Sequence, residues 1–157
     1  MDLALPTTMT EKETAFEFLR QNKLGVLATI TPEGKPHADA IYYVVDDGLE
    51  VNFLTEVGTS KYKNIQHLSD VFFVVTDVEK KITAHIIGKA LLVTDKDSLT
   101  VMMGKVAKML NSGESFDTVL PILKRDNGNL VVVRIKPQEI RLSDYGSNGL
   151  SEITVTF

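Results

Sequence analysis

From Gly25 onward the chain consists mostly of short apolar or alternating runs, each ended by turn residues, which is the pattern of strands. GVLATI, Gly25 to Ile30, predicts a short buried strand, and TPEGKP, Thr31 to Pro36, a turn. His37 to Val45 follows as a long strand whose Tyr42 and Tyr43 point to opposite faces. Asp46-Asp47-Gly48 predicts a hairpin with positive φ at Asp47-Gly48. Leu49 to Thr55 returns, with Leu49, Val51 and Phe53 on one face and Glu50 and Asn52 on the other. Val71 to Val78 and Ile82 to Thr94 are the next strands, turned by Glu79 to Lys81, with a bulge or bend expected at Gly88. Leu130 to Ile135 is expected to end at Lys136-Pro137, with Glu139 to Leu142 extending the sheet. Ser143 to Gly149 reads as a loop and Glu152 to Phe157 as a last short strand.

Three stretches carry helical spacing instead. Thr10 to Asn22 has a capping box of Thr10 with Glu13 and a stripe of Ala15, Phe16 and Leu19. Lys61, Ile65 and Leu68 stand at i, i+4 and i+7. Ser98 to about Asn111 follows a capping Asp95 or Asp97, and its Leu99, Met102, Met103, Val106 and Met109 predict a core-packing face. Phe116 to Leu123 reads as a short helical turn. Strands outnumber helices, and the first three are joined by short turns. The expectation is a mainly β fold: one domain, residues 1–157, with an antiparallel sheet closed or nearly closed into a barrel and helices filling gaps.

Composition narrows the chemistry. With 157 residues the chain suits a single core, and 43% hydrophobic with 24% charged residues is an ordinary globular balance. The absence of cysteine excludes disulfides, thiolate–metal sites and thiol catalysis. A net charge of -4 argues against nucleic acid or anionic membrane as partner, so any anion must be held locally. The first residues resemble no signal peptide and no apolar run is long enough to span a bilayer, so a cytoplasmic location is expected.

One loop raises a question that composition does not answer. In FLTEVGTSKYKNIQHL, Phe53 to Leu68, a strand end passes through Gly58, Thr59, Ser60 and Lys61 into a helix. A cation in the first helical turn faces the positive end of the macrodipole, which disfavours it. Backbone N–H groups, two hydroxyls and an ammonium converging at a helix start make a phosphate site, and a bound anion would remove the objection to Lys61.

LGVLATITPEGKPH, DAIYYVVDDG, FLTEVGTSKYKNI and ITAHIIGKA, in that order, resemble the FMN-binding split barrels related to pyridoxamine 5'-phosphate oxidase. The resemblance implies a six-stranded antiparallel Greek-key split barrel and a homodimer with FMN in its interface. It implies flavin contacts at Leu54 and Thr55, phosphate contacts at Thr59, Ser60 and Lys61, and a contact from the second subunit at Thr83. Two positions depart from the oxidase pattern: Ser60 and Asp39 each stand where the oxidase has Arg. The C-terminal Arg and His that grip the oxidase substrate have no counterpart in IRLSDYGSNGLSEITVTF. The resemblance therefore implies an FMN-dependent oxidoreductase of unknown small-molecule substrate, distinct from the true oxidase; the alternative is a non-catalytic flavin- or haem-sequestering protein. Ile41 and Tyr43, opposite the Ala38 and Ala40 face, are expected among the apolar positions covered by the twin.

His37, His67 and His85 form no local metal motif, and no metal site is expected. His37 could reach a pocket mouth as a haem ligand, and His85 shares a strand face with Thr83. No Ser-His-Asp set is readable, and no catalytic acid or base is assigned.

Overall fold

The computed structural model describes residues 9–110, 129–146 and 149–157. The turn expected at Phe116 to Leu123 lies outside them. The elements run α1 (Glu11–Gln21), β1 (Leu24–Ile30), β2 (Pro36–Tyr42), β3 (Val44–Val45), β4 (Val51–Glu56), α2 (Ser60–His67), β5 (Asp70–Asp77), β6 (Ile82–Val93), α3 (Lys96–Leu110), β7 (Leu130–Asp144) and β8 (Ser151–Thr156).

All eight strands belong to one antiparallel sheet of order β2-β1-β5-β6-β7-β4-β3, with β8 paired to β7. Its two end strands are consecutive in the chain, separated only by Tyr43. One bent strand therefore pairs β1 through its first part and β4 through Val44 and Val45, which closes the sheet on itself. Counted that way the barrel has the six expected strands, and β8 adds a seventh along the second half of β7. Among the described residues no helix is long and apolar enough to cross a membrane.

The barrel interior follows the strand alternation. Val51, Phe53, Phe73, Val75, Ile86 and Ile140 are fully buried, and Tyr43 packs edge-on to Phe73 with ring centroids 5.3 Å apart. Helix α1 adds Ala15, Phe18 and Leu19, and the Tyr43 hydroxyl donates to the Leu19 carbonyl at 2.8 Å. The capping box forms as expected, with Thr10 and Glu13 exchanging bonds of 3.1 Å. Helix α3 starts from the Asp95 carboxylate, which accepts from Ser98 N–H. It lays Met102 and Val106 on Val132, covering the outer side of β4 and β7. Met102 and Met109 are core packing, and this second cover explains why Asn52, expected on a polar face, is buried.

Three expectations are corrected. Pro137 does not end a strand: β7 runs through it, because Gln138 bulges out between the pairs Ile87–Glu139 and Gly88–Pro137. The irregularity expected at Gly88 is thus shared with the facing strand. The hairpin places its positive φ, 63°, at Leu49 rather than at Asp47-Gly48. The Asp46 carboxylate holds that loop by accepting from Gly48 and Glu50 N–H, and burial of Leu49 offsets the strain. Ile41 and Tyr43 face their own core and are closed to a twin.

Candidate functional site

Only Val51 and Asn52 of β4 pair with β3. Beyond Asn52 the β2 and β4 segments separate, although β4 stays paired to β7 as far as Glu56. Leu54 thus carries an unpaired strand edge along the split, and the Glu56 carbonyl, next on that edge, accepts from Thr59 N–H at 3.3 Å where the loop into α2 begins. Gly58 takes φ 90°, which an L side chain rarely adopts, and a Cβ there would meet open space. The glycine turns the chain; no neighbour demands it.

Thr59 is the N-cap of α2. Its hydroxyl donates to the Glu56 carbonyl at 3.0 Å, accepts from Tyr62 N–H at 3.4 Å, and lies 3.2 Å from the buried Thr55 hydroxyl. Those bonds fasten the loop to the end of β4. Ser60 and Lys61 take the first two helical positions, whose N–H groups a helix leaves without internal acceptors. The Ser60 side chain is exposed. Behind the loop, Asn64 donates to Thr29 Oγ1 at 3.0 Å, a buried bond that ties α2 to β1.

Lys61 does not point into solvent. Its side chain is 19% exposed and its Nζ lies 3.6 Å from Asp39 Oδ2. Asp39 shares the inward face of β2 with His37 and Ile41, and His37 Nδ1 stands 3.6 Å from the same carboxylate oxygen. That nitrogen is buried without a hydrogen-bond partner. The ion pair bridges the split between β2 and the start of α2. Sequence reading noted Asp39 only as a departure from a pattern; that it meets Lys61 needs the barrel, since 22 positions separate them.

The six residues singled out from the sequence divide. Thr55, Thr59, Ser60 and Lys61 converge on the loop. The Leu54 side chain instead packs under α3, leaving its backbone edge at the split. Thr83 lies on the outer face of β6, hydrogen-bonded to Thr76 across the β5–β6 ladder at 3.1 Å, with no bond to the loop of its own chain. That outer face is apolar: Leu24, Val26, Tyr42, Phe72 and Ile87 are each 36–47% exposed. His85 lies among them, edge-on to Phe72 at 5.7 Å, its Nδ1 also unpartnered. His67, in the last turn of α2, is exposed. Among the described residues no group of three or more His, Asp or Glu could hold a metal ion. Cavities of about 480 and 540 Å³ lie by α1, at the hairpin and at α3, away from this loop.

The profile of the family described as pyridoxamine 5'-phosphate oxidase matches residues 11–144. No curated protein matches the sequence. A solved conserved hypothetical protein of Mycobacterium tuberculosis is 27% identical, with TM-score 0.71 over 92% of this chain and 91% of its own. A pyridoxamine 5'-phosphate oxidase-related, FMN-binding protein of Nostoc punctiforme is 13% identical, with TM-score 0.61 over 92% of this chain and 93% of its own. A heme-binding protein of Mycobacterium smegmatis is 18% identical, with TM-score 0.66 over 94% of this chain and 59% of its own. At those last two identities the likeness is one of fold.

Proposed function

The chain belongs to the pyridoxamine 5'-phosphate oxidase family, and on that premise we propose that it is an FMN-binding oxidoreductase acting on a small molecule other than the true oxidase's substrate. The observation that carries the reading is the loop Gly58–Lys61. It presents two free helix N–H groups, an exposed hydroxyl and a part-buried ammonium beside an unpaired strand edge. Those groups fit a terminal phosphate: Ser60 and Lys61 N–H and the Ser60 hydroxyl would hold its oxygens, and Lys61 would neutralise charge. Thr59 and Thr55 hold the loop in shape. The backbone edge at Leu54 offers hydrogen bonds to the ring system. FMN, when bound, supplies the two-electron redox chemistry; the protein binds, orients and shields it.

The second half of the slot is supplied by a second copy of the chain. Thr83 lies on an exposed apolar sheet face and away from its own loop, so it can serve a loop only across an interface. A C2 pairing through Leu24, Val26, Tyr42, Phe72 and Ile87 covers that face and brings the partner's strand to the split. The other reading, non-catalytic sequestration of flavin or haem, is favoured by one observation: His37 at the split and His85 on the apolar face each keep a buried Nδ1 without a hydrogen-bond partner.

Absorbance of the purified protein with mass spectrometry of the released ligand tests these readings. Flavin bands and the mass of FMN support the first, and a Soret band supports haem binding. A colourless protein that takes up neither FMN nor haem on titration sinks both. Turnover with oxidised and reduced nicotinamide and deazaflavin donors then separates an enzyme from a carrier. Turnover of pyridoxamine 5'-phosphate at ordinary enzymatic rates would overturn the exclusion of the true oxidase activity.

A further inference from the structure

The Asp39–Lys61 pair bears on which flavin the slot prefers. Resting on the reading of Gly58–Lys61 as a phosphate loop, we propose that Asp39 is a specificity-determining residue. It competes with the ligand's phosphate for Lys61 and so weakens discrimination between FMN and a flavin without phosphate.

The argument is one of distances. A phosphate oxygen in contact with Lys61 Nζ sits at about 3 Å from it. The Asp39 carboxylate is 3.6 Å from that same Nζ, so it lies no farther than about 6.6 Å from the incoming phosphate oxygen. Coulomb energy falls as the inverse of distance, so the acid cancels at least roughly half of the lysine's attraction in one dielectric. Side-chain exposures of 19% for Lys61 and 34% for Asp39 leave both charges only partly screened. At 3.6 Å the pair is longer than a hydrogen bond, so Lys61 can turn toward a ligand without breaking one. His37 also reaches Asp39 at 3.6 Å and leaves the carboxylate a second neighbour when Lys61 turns away. The competing reading is that Asp39 merely holds Lys61 poised for phosphate. The two differ in sign: removing the charge strengthens FMN binding under competition and weakens it under positioning.

The experiment titrates FMN and riboflavin, by flavin fluorescence, against wild type, Asp39→Asn and Lys61→Ala. Circular dichroism confirms that each variant is folded. Asp39→Asn should bind FMN about three- to tenfold more tightly, half on a logarithmic scale of the lysine's own effect, and leave riboflavin unchanged. Unchanged or weaker FMN binding by Asp39→Asn overturns the inference, and so does an equal gain for both flavins. Lys61→Ala keeps the two failures apart. If it weakens FMN alone while Asp39→Asn gives no gain, the phosphate loop stands and only the role of Asp39 falls. If Lys61→Ala treats both flavins alike, the phosphate loop falls and the inference with it.

Discussion

The side-chain amide of Asn64 donates to the Thr29 hydroxyl at 3.0 Å across 35 positions of sequence, and both residues are buried. This bond seats α2 on β1 and thereby sets where Lys61 emerges. Asn64→Ala leaves the Thr29 hydroxyl buried without its partner, at a cost of about 1–3 kcal/mol. It should also weaken FMN binding, because the helix carrying the loop loses its anchor. Thr29→Ala, which removes the other partner, should lose stability similarly. Denaturant unfolding and FMN titration check both, and an Asn64→Ala protein of wild-type stability would show the bond to be idle.

Lys61→Ala should weaken FMN by roughly tenfold to a hundredfold, the value of a charge-assisted hydrogen bond, about 1.5–3 kcal/mol. Riboflavin should be nearly indifferent. Lys63→Ala is the control: its exposed side chain points elsewhere on the helix and should matter little. The macrodipole alone suggests that losing Lys61 would help the cofactor-free fold. The loss of the Asp39 pair offsets that, so stability should be close to unchanged.

Gly88 faces the carbonyl of Lys136 so closely that a Cβ would collide with backbone, at the point where Gln138 bulges. Backbone cannot step aside as a side chain can. Gly88→Ala should therefore cost at least about 2–3 kcal/mol through overpacking and distortion of the longest strand pair. The midpoint of thermal unfolding reads this directly; a shift of less than a degree would mean the bulge absorbs the methyl.

Tyr43 is buried, and burial pushes its phenol well above the usual tyrosine range. Such a group contributes stability that is fully present below its unfolded pKa, near 10. That contribution is lost as pH rises from there toward the folded value, because only the unfolded chain releases the proton. Stability should fall above about pH 10 more steeply in wild type than in Tyr43→Phe. At neutral pH that variant should lose about 1 kcal/mol with the hydrogen bond to Leu19. Parallel alkaline profiles for the two proteins would contradict this.

The exposed face of β1, β2, β5 and β6 should hold a second copy of the chain. Sedimentation should give a dimer at micromolar concentration, and Val26→Asp should give a monomer, because a carboxylate in the centre of that face would be buried unpaired. Val26→Asp should also weaken FMN binding, since Thr83 of the second copy is then missing. A clean wild-type monomer would sink the pairing.

The sequence by itself determined the local chemistry. Alternation of apolar residues located the strands, Thr10 with Glu13 announced α1, and Gly58 to Lys61 announced a helix start with a misplaced cation. These depend on side-chain period, capping and φ, all of which act within a few residues. Only the tertiary structure decided the rest. The β2–β3 strand closes the barrel by pairing two distant neighbours, and Pro137 continues a strand because a bulge on that strand removes the conflict. Leu49 takes a left-handed backbone because the core holds its side chain, which turn preferences do not register. Asp39 meets Lys61 because β2 and α2 flank the same split. A carboxylate and an ammonium far apart in sequence carry no local sign of their pairing; the strand register that brings them together depends on the whole closed sheet.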